Sequence, residues 1–283
     1  MPIACPIQIR NLTPSEFDER DAVVMRCAYA AQNALGRLCD ERVYENDLAR
    51  RLHAEGFKSV HTQVPVTVTH DGFVKEYRFD LLADDALYEL KTVSAFAPQH
   101  AAQALHYAML ADVNHVKLLN FRPDRVQGQL KFNAFLQEKR RSMTWEESEW
   151  ASLSPQCEML KQRVHGLLDD WGACLSVVLY EEALVHFFGG EAQCARRIPI
   201  SLNGVELGSH PVLMHGDDLC FLATAFAAGV DGQRSHIKRL LSLTRLRAIQ
   251  WINFTAIPQE MHGNHRKQGL FDNPKRYGME CGV

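Results

Sequence analysis

Hydrophobic positions in the first part of the chain follow a helical period and then a strand period. Apolar residues recur every three or four positions over Asp21–Ala34 and Glu41–Ala54, as in amphipathic helices. Valines then alternate with polar residues over Gln63–Thr69, and after an Asp71–Gly72 turn a second run covers Val74–Leu82. The pattern predicts two helices followed by a β-hairpin.

The next segment predicts a short strand, a helix and closing strands. Asp84–Asp85 is typical of a tight turn, and the apolar run Leu87–Leu90 after it predicts a strand. Pro98 favours the start of a helix that extends to about Ala111. Closing strands are predicted at Val116–Phe121 and Leu130–Phe132. This order of elements predicts a mixed β-sheet flanked by helices.

The same order of features recurs in the second half of the chain. Matched residues keep their sequence order, with Gly36, Tyr44, Glu45, Leu48, Pro65, Gly72, Leu87, Thr92, Asn120 and Phe121 falling on Gly172, Tyr180, Glu181, Leu184, Pro199, Gly204, Leu219, Thr224, Asn253 and Phe254. The recurrence predicts an internal duplication, although two unrelated α/β segments are the alternative. The predicted lobes are 1–133 and 155–257, separated by a charged linker at 134–154 and followed by a basic tail at 258–283.

Composition limits the classes of protein that this chain can belong to. Its 283 residues are 46% hydrophobic and 23% charged, as in globular proteins, and two domains are expected at this length. The net charge of -3 excludes nucleic-acid binding by overall attraction, so binding would need local patches. No signal-peptide pattern or membrane-length apolar run is present, which predicts a cytoplasmic protein without membrane contact. The scattered cysteines predict neither a zinc site nor a disulfide.

Asp80 and the Glu89-x-Lys91 sequence suggest a catalytic metal site. Residues 89 and 91 of a strand face the same side, and Asp80 on the neighbouring strand can join them. Two adjacent carboxylates repel each other, and a hard divalent cation such as Mg²⁺ or Mn²⁺ relieves that repulsion. Lys91 would orient or activate the attacking water, while the cation would neutralise charge on phosphoryl oxygens.

Helical residues add to this candidate site. Gln103 and Tyr107 are four positions apart and share one helical face, as do Glu41 and Glu45. Glu45 is the candidate for a further acidic metal ligand, whereas Glu41 could simply cap or brace its helix. Each feature alone also fits a solvated surface, but their order along the chain favours a site.

The Asp80 and Glu89-x-Lys91 pattern resembles the core of the PD-(D/E)XK nuclease superfamily. The stretch from Glu41 to Glu45 resembles the later part of the motif of GxxExxY proteins, a branch of that superfamily, although Leu38 stands where the motif has glycine. The resemblance covers about residues 20–132. Further similar elements are Gln63–Val66, Phe79–Leu82, Tyr88–Lys91, His100-x-x-Gln103 and Leu119–Phe121.

The resemblance implies fold, activity and site together. The implied fold is a tandem of restriction-endonuclease-like α/β lobes, each with a mixed central sheet flanked by helices. The implied activity is hydrolysis of nucleic-acid phosphodiester bonds with Mg²⁺ or Mn²⁺, with DNA the favoured substrate. Gln103 and Tyr107 resemble the Q-x-x-x-Y element of RecB-type nucleases, which lies beside the metal. The catalytic set is then Asp80, Glu89, Lys91, Glu45, Gln103 and Tyr107, with Asp80, Glu89 and Glu45 on the metal.

The second lobe lacks most of these residues. Asp80 falls near Val212, Glu89 on Phe221 and Lys91 on Ala223, and only Glu181 keeps an acid. We therefore expect a catalytically inactive copy that forms a pseudo-dimer with the first lobe and offers interface or substrate-binding surface. Basic residues in and after it are candidates for phosphate contacts, although a solvated helix face is the alternative: Lys238, Arg239, Arg245, Arg247, Arg266 and Lys267.

A different class of function is also compatible with the sequence. The chain could be a non-catalytic nucleic-acid-binding or protein-interaction module on a nuclease fold. Its net negative charge and the losses in the second lobe favour this alternative. Under the catalytic hypothesis there is one active centre per chain, so a monomer would nick duplexes or cut single strands.

Overall fold

The computed structural model describes residues 2–142, 145, 147, 149–226 and 228–254. The chain forms two compact units, which meet in sequence between Glu138 and Lys139. The predicted basic tail, with Arg266 and Lys267, lies outside the described residues. Among the helices that are described, none is long and apolar enough to cross a membrane.

The first unit is built on one six-stranded mixed sheet. Its strands follow chain order across the sheet; β4 and β5 are parallel, and the other neighbours are antiparallel. The elements are β1 (Ile3–Ala4), α1 (Pro14–Leu35), α2 (Glu41–Ala54), β2 (Val60–His70), β3 (Phe73–Ala83), β4 (Ala86–Lys91), α3 (Pro98–Leu110), β5 (His115–Asn120) and β6 (Gln127–Phe132). The short helix α4 (Gln137–Arg141) spans the sequence boundary between the two units. The predicted mixed α/β class is confirmed.

Local signals explain where these helices begin. Helix α1 starts at Pro14, seven residues before the predicted apolar periodicity, because Thr13 and Glu16 form a capping box. The Glu16 amide donates to Thr13 Oγ1 at 3.3 Å and the Thr13 amide donates to the Glu16 carboxylate at 2.9 Å, which satisfies amides that the helix itself leaves free. Helix α2 has the predicted bounds.

Helices α1 and α2 pack on the sheet through a buried tyrosine. The Tyr44 hydroxyl donates to the Gly36 carbonyl at 2.7 Å, and its ring stacks on Phe121 with centroids 4.5 Å apart. Gly36 ends α1 with a positive φ of 74°, a conformation that glycine adopts without steric cost. The tyrosine therefore ties the turn between the two helices to the end of strand β5.

The second unit has a four-stranded sheet in the order β10-β9-β8-β7. Strands β9 and β10 are parallel, and the other neighbours are antiparallel. The elements are α5 (Pro155–Trp171), α6 (Val177–Phe187), α7 (Glu191–Cys194), β7 (Ala195–Leu202), β8 (Val205–Met214), β9 (Leu219–Thr224), α8 (Val230–Ser242) and β10 (Ala248–Asn253). Two helices, a hairpin, a strand, a helix and a parallel strand thus follow one another here as in the first unit.

The tyrosine contact of the first unit has a counterpart in the second. The Tyr180 hydroxyl donates to the Gly172 carbonyl at 2.6 Å, and its ring stacks on Phe254 with centroids 4.1 Å apart. Gly172 ends helix α5 with a φ of 72°. Glycine, tyrosine and phenylalanine therefore make equivalent contacts in both units, at positions that the sequence comparison pairs.

A buried asparagine at the end of the parallel strand also has equivalent contacts in both units. The Asn120 amide donates to the Val93 carbonyl at 2.8 Å and accepts from the Val93 amide at 3.1 Å. Asn253 makes the same two bonds to Phe226, at 3.0 and 2.8 Å. Each asparagine side chain therefore bonds both the N–H and the carbonyl of one residue, in the segment that follows β4 in the first unit and β9 in the second.

The segment predicted as a linker, 134–154, contributes packed residues to the second unit. Arg140 is buried, and its carbonyl accepts from the Ala173 amide at 3.2 Å. Trp150 and Leu153 pack against a small cluster around Cys157. Part of this charged stretch therefore covers the second sheet, because a few apolar side chains suffice to anchor a polar segment.

Replacing either tyrosine with phenylalanine is expected to destabilise the protein. Tyr44→Phe and Tyr180→Phe each keep the stacked ring but leave a glycine carbonyl without its donor, which costs about 1 kcal/mol of unfolding free energy. Chemical denaturation followed by circular dichroism measures the loss. Tyr29→Phe, at an exposed position, is the matched control. An unchanged unfolding free energy in both variants would show that water replaces the hydroxyl fully.

Candidate active site

Asp80 and Glu89 lie opposite each other on adjacent strands. Leu81 on β3 pairs with Tyr88 on β4 in the antiparallel ladder. The residues one position further along, Asp80 and Glu89, therefore come opposite each other. Asp80 Oδ2 accepts from the Leu90 amide at 2.8 Å. Both acids are buried, so the sheet fixes two carboxylates side by side with little access to water.

Lys91, at the end of β4, supplies the positive charge beside these acids. Its ammonium lies 2.6 Å from Glu89 Oε1, 3.8 Å from Glu41 Oε1 and 4.0 Å from Asp80 Oδ2. The lysine side chain is only 12% exposed. One ammonium therefore balances three carboxylates, so the cluster keeps an excess of negative charge if all three acids are ionised.

The surroundings of Glu89 strongly disfavour the charged form of its carboxyl group. Burial and the nearby Asp80 raise its pKa to about 8, since both disfavour the charged form. Glu89 Oε2 is buried and no described group donates a hydrogen bond to it. A bound proton or a cation between the two carboxyl groups would relieve this repulsion.

Glu45 approaches the same cluster from helix α2 and is almost fully buried. Arg42 Nη1 lies 2.9 Å from Glu45 Oε1, and Gln63 Nε2 donates to Glu45 Oε2 at 2.9 Å. The same Gln63 nitrogen lies 3.4 Å from Asp80 Oδ1. Burial raises the pKa of Glu45 in spite of these donors. Glu45 is thus linked to Asp80 through one amide.

The donor set fits a hard divalent cation. Mg²⁺ in proteins takes one or two carboxylates and completes its shell with water and substrate phosphate, and the Asp80 and Glu89 pair meets that need. Within the part of the chain that the structure describes, no three His, Cys, Asp or Glu side chains already converge as ligands. Glu45 is bound by Arg42 and Gln63 instead of pointing at a shared centre with the pair.

Gln103 and Tyr107 border the cluster from helix α3. Gln103 Nε2 donates to the Tyr107 hydroxyl at 3.2 Å, and the Tyr107 ring packs on Phe79 with centroids 5.4 Å apart. Burial raises the pKa of Tyr107, and the charges of Glu89 and Asp80 add to the rise. The Tyr107 hydroxyl therefore lies close enough to Glu89 and Asp80 for their charges to affect its pKa.

The sheet and two helices thus bring the six residues that the sequence selects into one region. Strand β3 supplies Asp80, and strand β4 supplies Glu89 and Lys91. The remaining three come from the helices, namely Glu45 from α2, and Gln103 and Tyr107 from α3.

Gln63 is the member of the site to which the sequence analysis assigned no role. It entered only as part of the family resemblance, although the strand register carried a signal. Val64 pairs with Phe79, so an antiparallel hairpin places Gln63 next to Asp80. An amide opposite a predicted metal ligand is a candidate hydrogen-bond partner on that ground alone.

The equivalent region of the second unit is apolar. Leu213 pairs with Phe221, which places Leu213, next to Val212, opposite Phe221 in the way that Asp80 lies opposite Glu89. Leu213, Phe221 and Leu240 line a cavity of about 280 Å³ together with Glu181. Burial raises the pKa of Glu181, the one acid of the set retained there.

The predicted phosphate-binding residues of the second unit are exposed. Lys238 and Arg239 lie on helix α8, and Arg245 and Arg247 lie in the segment that leads into β10. The Arg247 amide donates to the Asp218 carbonyl at 2.8 Å, which fixes this segment beside the β8–β9 turn.

Comparison with known proteins agrees with the geometry of the first unit. Residues 18–132 match the family model described as the PD-(D/E)XK nuclease superfamily. The superfamily predicted from the sequence is therefore confirmed for these residues, which hold the whole acidic cluster. No curated protein matches the chain, and no solved structure does either. The GxxExxY branch and the second copy stay predictions.

Neutralising Glu89 is expected to stabilise the metal-free protein. Its pKa of about 8 in the fold lies above the usual value near 4.5, so the folded state binds this proton more tightly and its stability falls as pH rises between those values. Glu89→Gln removes that loss. We expect a melting temperature a few degrees higher in EDTA, corresponding to about 1 kcal/mol, with a larger gain at pH 8.5 than at pH 5.5.

The control for this measurement is Glu19→Gln, at an exposed position, which should leave the melting temperature unchanged. A lower melting temperature of Glu89→Gln at pH 8.5 would mean that the ion pair between Glu89 and Lys91 outweighs the cost of burial.

Proposed function

We propose that the first unit is a metal-dependent nuclease that hydrolyses phosphodiester bonds of nucleic acid, with DNA as the favoured substrate. The observation that carries the proposal is the buried cluster of Asp80, Glu89 and Lys91 at the end of β4. Residues 18–132 match the PD-(D/E)XK nuclease superfamily, whose members are generally nucleases, and this match supports nuclease activity.

The roles of the residues follow from their positions. Asp80 and Glu89 would hold Mg²⁺ or Mn²⁺, with Glu45 as a further acidic group. When bound, the cation supplies charge neutralisation at the phosphoryl oxygens. Lys91 would exchange its carboxylate contacts for the attacking water and orient that water. Glu89 and Asp80 keep Lys91 protonated, since their charges raise its pKa.

Gln103 and Tyr107 would hold the substrate strand or the sheet edge beside the acids. The hydrogen bond between them leaves the second amide hydrogen of Gln103 able to donate to a phosphate oxygen. Tyr107 stays protonated at neutral pH because its pKa is raised, so it too can donate. These groups would position a phosphodiester without adding negative charge to the site.

We also propose that the second unit is a degenerate copy of the first. The paired tyrosine, glycine and phenylalanine contacts and the paired asparagine clasps support it, as does the shared order of elements. Leu213 and Phe221 in place of two acids support the loss of metal binding. Each chain would then carry one active centre.

Cleavage by site variants tests the catalytic proposal. Labelled single-stranded DNA, duplex DNA, RNA and supercoiled plasmid are incubated with the full chain in Mg²⁺, Mn²⁺ or EDTA. We expect metal-dependent cleavage, with nicked circles as the first plasmid product. Glu89→Ala and Lys91→Ala should each lower kcat by about 100-fold or more, the scale for losing one group that stabilises transition-state charge.

The control for cleavage is Glu19→Ala, which should cut like the wild type. Binding without metal-dependent turnover, or equal turnover by the site variants, would replace the nuclease with the non-catalytic binding module. Linear plasmid formed by single-hit kinetics from a monomer would contradict the single active centre.

Nucleic-acid contact by the second unit is tested separately. The double variant Arg245→Ala/Arg247→Ala should weaken binding to all DNA sequences to the same extent. It should also reduce the slope of log K against log salt by about one to two units, because binding with fewer phosphate contacts releases fewer counterions. Fluorescence anisotropy at several salt concentrations measures both.

The charge-matched control for this experiment is Lys58→Ala/Arg125→Ala, at exposed positions of the first unit. An equal loss of affinity in both double variants would assign the effect to net charge and remove this patch from the proposal.

A further inference from the structure

Gln63 has an unusual backbone for a residue inside a β-strand. Its φ is 52°, in the left-handed region that non-glycine residues seldom occupy. Of the described non-glycine residues with positive φ, it is the one that lies within a strand. Such conformations cost of order 1–3 kcal/mol and persist where the surroundings enforce them.

No inserted residue explains this backbone. Thr62 pairs with Leu81 and Val64 pairs with Phe79, so the ladder keeps the same register on both sides of Gln63 and there is no β-bulge. The departure is a local rotation of the chain at the position that faces Asp80.

The rotation changes the direction of the Gln63 side chain. Successive residues of a regular strand point to opposite faces of the sheet. The side chain at this left-handed position contacts both Asp80, its cross-strand neighbour, and Glu45 of helix α2.

The amide of Gln63 then meets two acids at once. Its nitrogen lies 2.9 Å from Glu45 Oε2 and 3.4 Å from Asp80 Oδ1. A primary amide has two N–H groups and carries no net charge. It can therefore hold two repelling carboxylates close together without neutralising either of them.

We propose that Gln63 is a positioning residue of the metal site, whose amide bridges Glu45 and Asp80 and fixes the orientation of the Asp80 carboxylate beside Glu89. The inference rests on the proposed function, because it takes Asp80 as a metal ligand. Without the bridge, the two acids would separate by repulsion, and metal binding would have to bring them together again. Partners that orient metal ligands typically contribute 10–100-fold to metal affinity.

Two variants separate the amide from the backbone. Gln63→Gly removes the amide and also the cost of the left-handed conformation, whereas Gln63→Met removes the amide but keeps a side chain of similar length and the backbone cost. Both should bind Mn²⁺ about 10-fold more weakly than the wild type in calorimetric titration of the full chain with Mn²⁺ alone. Their melting temperatures should differ, with Gln63→Met the lower.

Cleavage gives the second readout of these variants. The Mn²⁺ concentration for half-maximal cleavage should rise by the same factor, while kcat at saturating Mn²⁺ should recover to near the wild-type value. A purely structural role would lower kcat and stability without changing the metal dependence. Gln129→Ala, on the exposed face of β6, is the control and should match the wild type in both assays.

The outcomes distinguish this inference from the proposed function. Wild-type binding of Mn²⁺ with unchanged or tighter binding in Gln63→Gly overturns the bridge and leaves the nuclease intact. A wild type that binds Mn²⁺ and never cuts overturns the nuclease alone, while the binding series still decides the bridge. A wild type that binds no Mn²⁺ overturns both. If Gln63→Gly does not fold, the Gln63→Met titration decides.

Discussion

Repulsion between buried carboxylates is the interaction around which the first unit is organised. Asp80 and Glu89 face each other across two strands, and the groups around them limit the cost of that contact. Lys91 supplies a charge, the Leu90 amide supplies a donor, and Gln63 links Asp80 to Glu45. The arrangement is less stable than an apolar one of the same shape would be. A site that gives up stability in this way is typical of a functional centre.

The second unit has a similar order of elements but lacks the acidic pair. Leu213 and Phe221 pair on adjacent strands, and both line a cavity whose other lining residues include Glu181 and His210. The second unit nevertheless has the same supporting contacts. Tyr180 donates to the Gly172 carbonyl, and Asn253 bonds the main chain of Phe226 after β9. The tyrosine and asparagine contacts therefore occur both in the unit that has the acidic pair and in the unit that lacks it.

The elements of the fold were largely readable from the sequence, for local reasons. Helix α2 has the predicted bounds because its apolar period and its flanking residues coincide, and the hairpin follows from alternating valines around Asp71–Gly72. Helix α1 began earlier than predicted because a capping box outweighed a polar first turn. The sequence did not predict that Trp150 and Leu153 pack against the second unit. The segment around them is mostly charged, and a few apolar residues in such a segment are a weak signal.

The sequence by itself determined the order of elements and which of the candidate site residues share a strand or helix face, because strand alternation and helical spacing are local properties. The superfamily came from the resemblance around Asp80 and Glu89-x-Lys91, and the family model matches residues 18–132. Only the tertiary structure decided how those residues meet. It gave Lys91 three carboxylate neighbours, engaged Glu45 with Arg42 and Gln63, and placed Leu213 opposite Phe221. Distances between strands and the backbone rotation at Gln63 depend on the register and packing of segments far apart in the chain, and a pattern along one segment does not contain them.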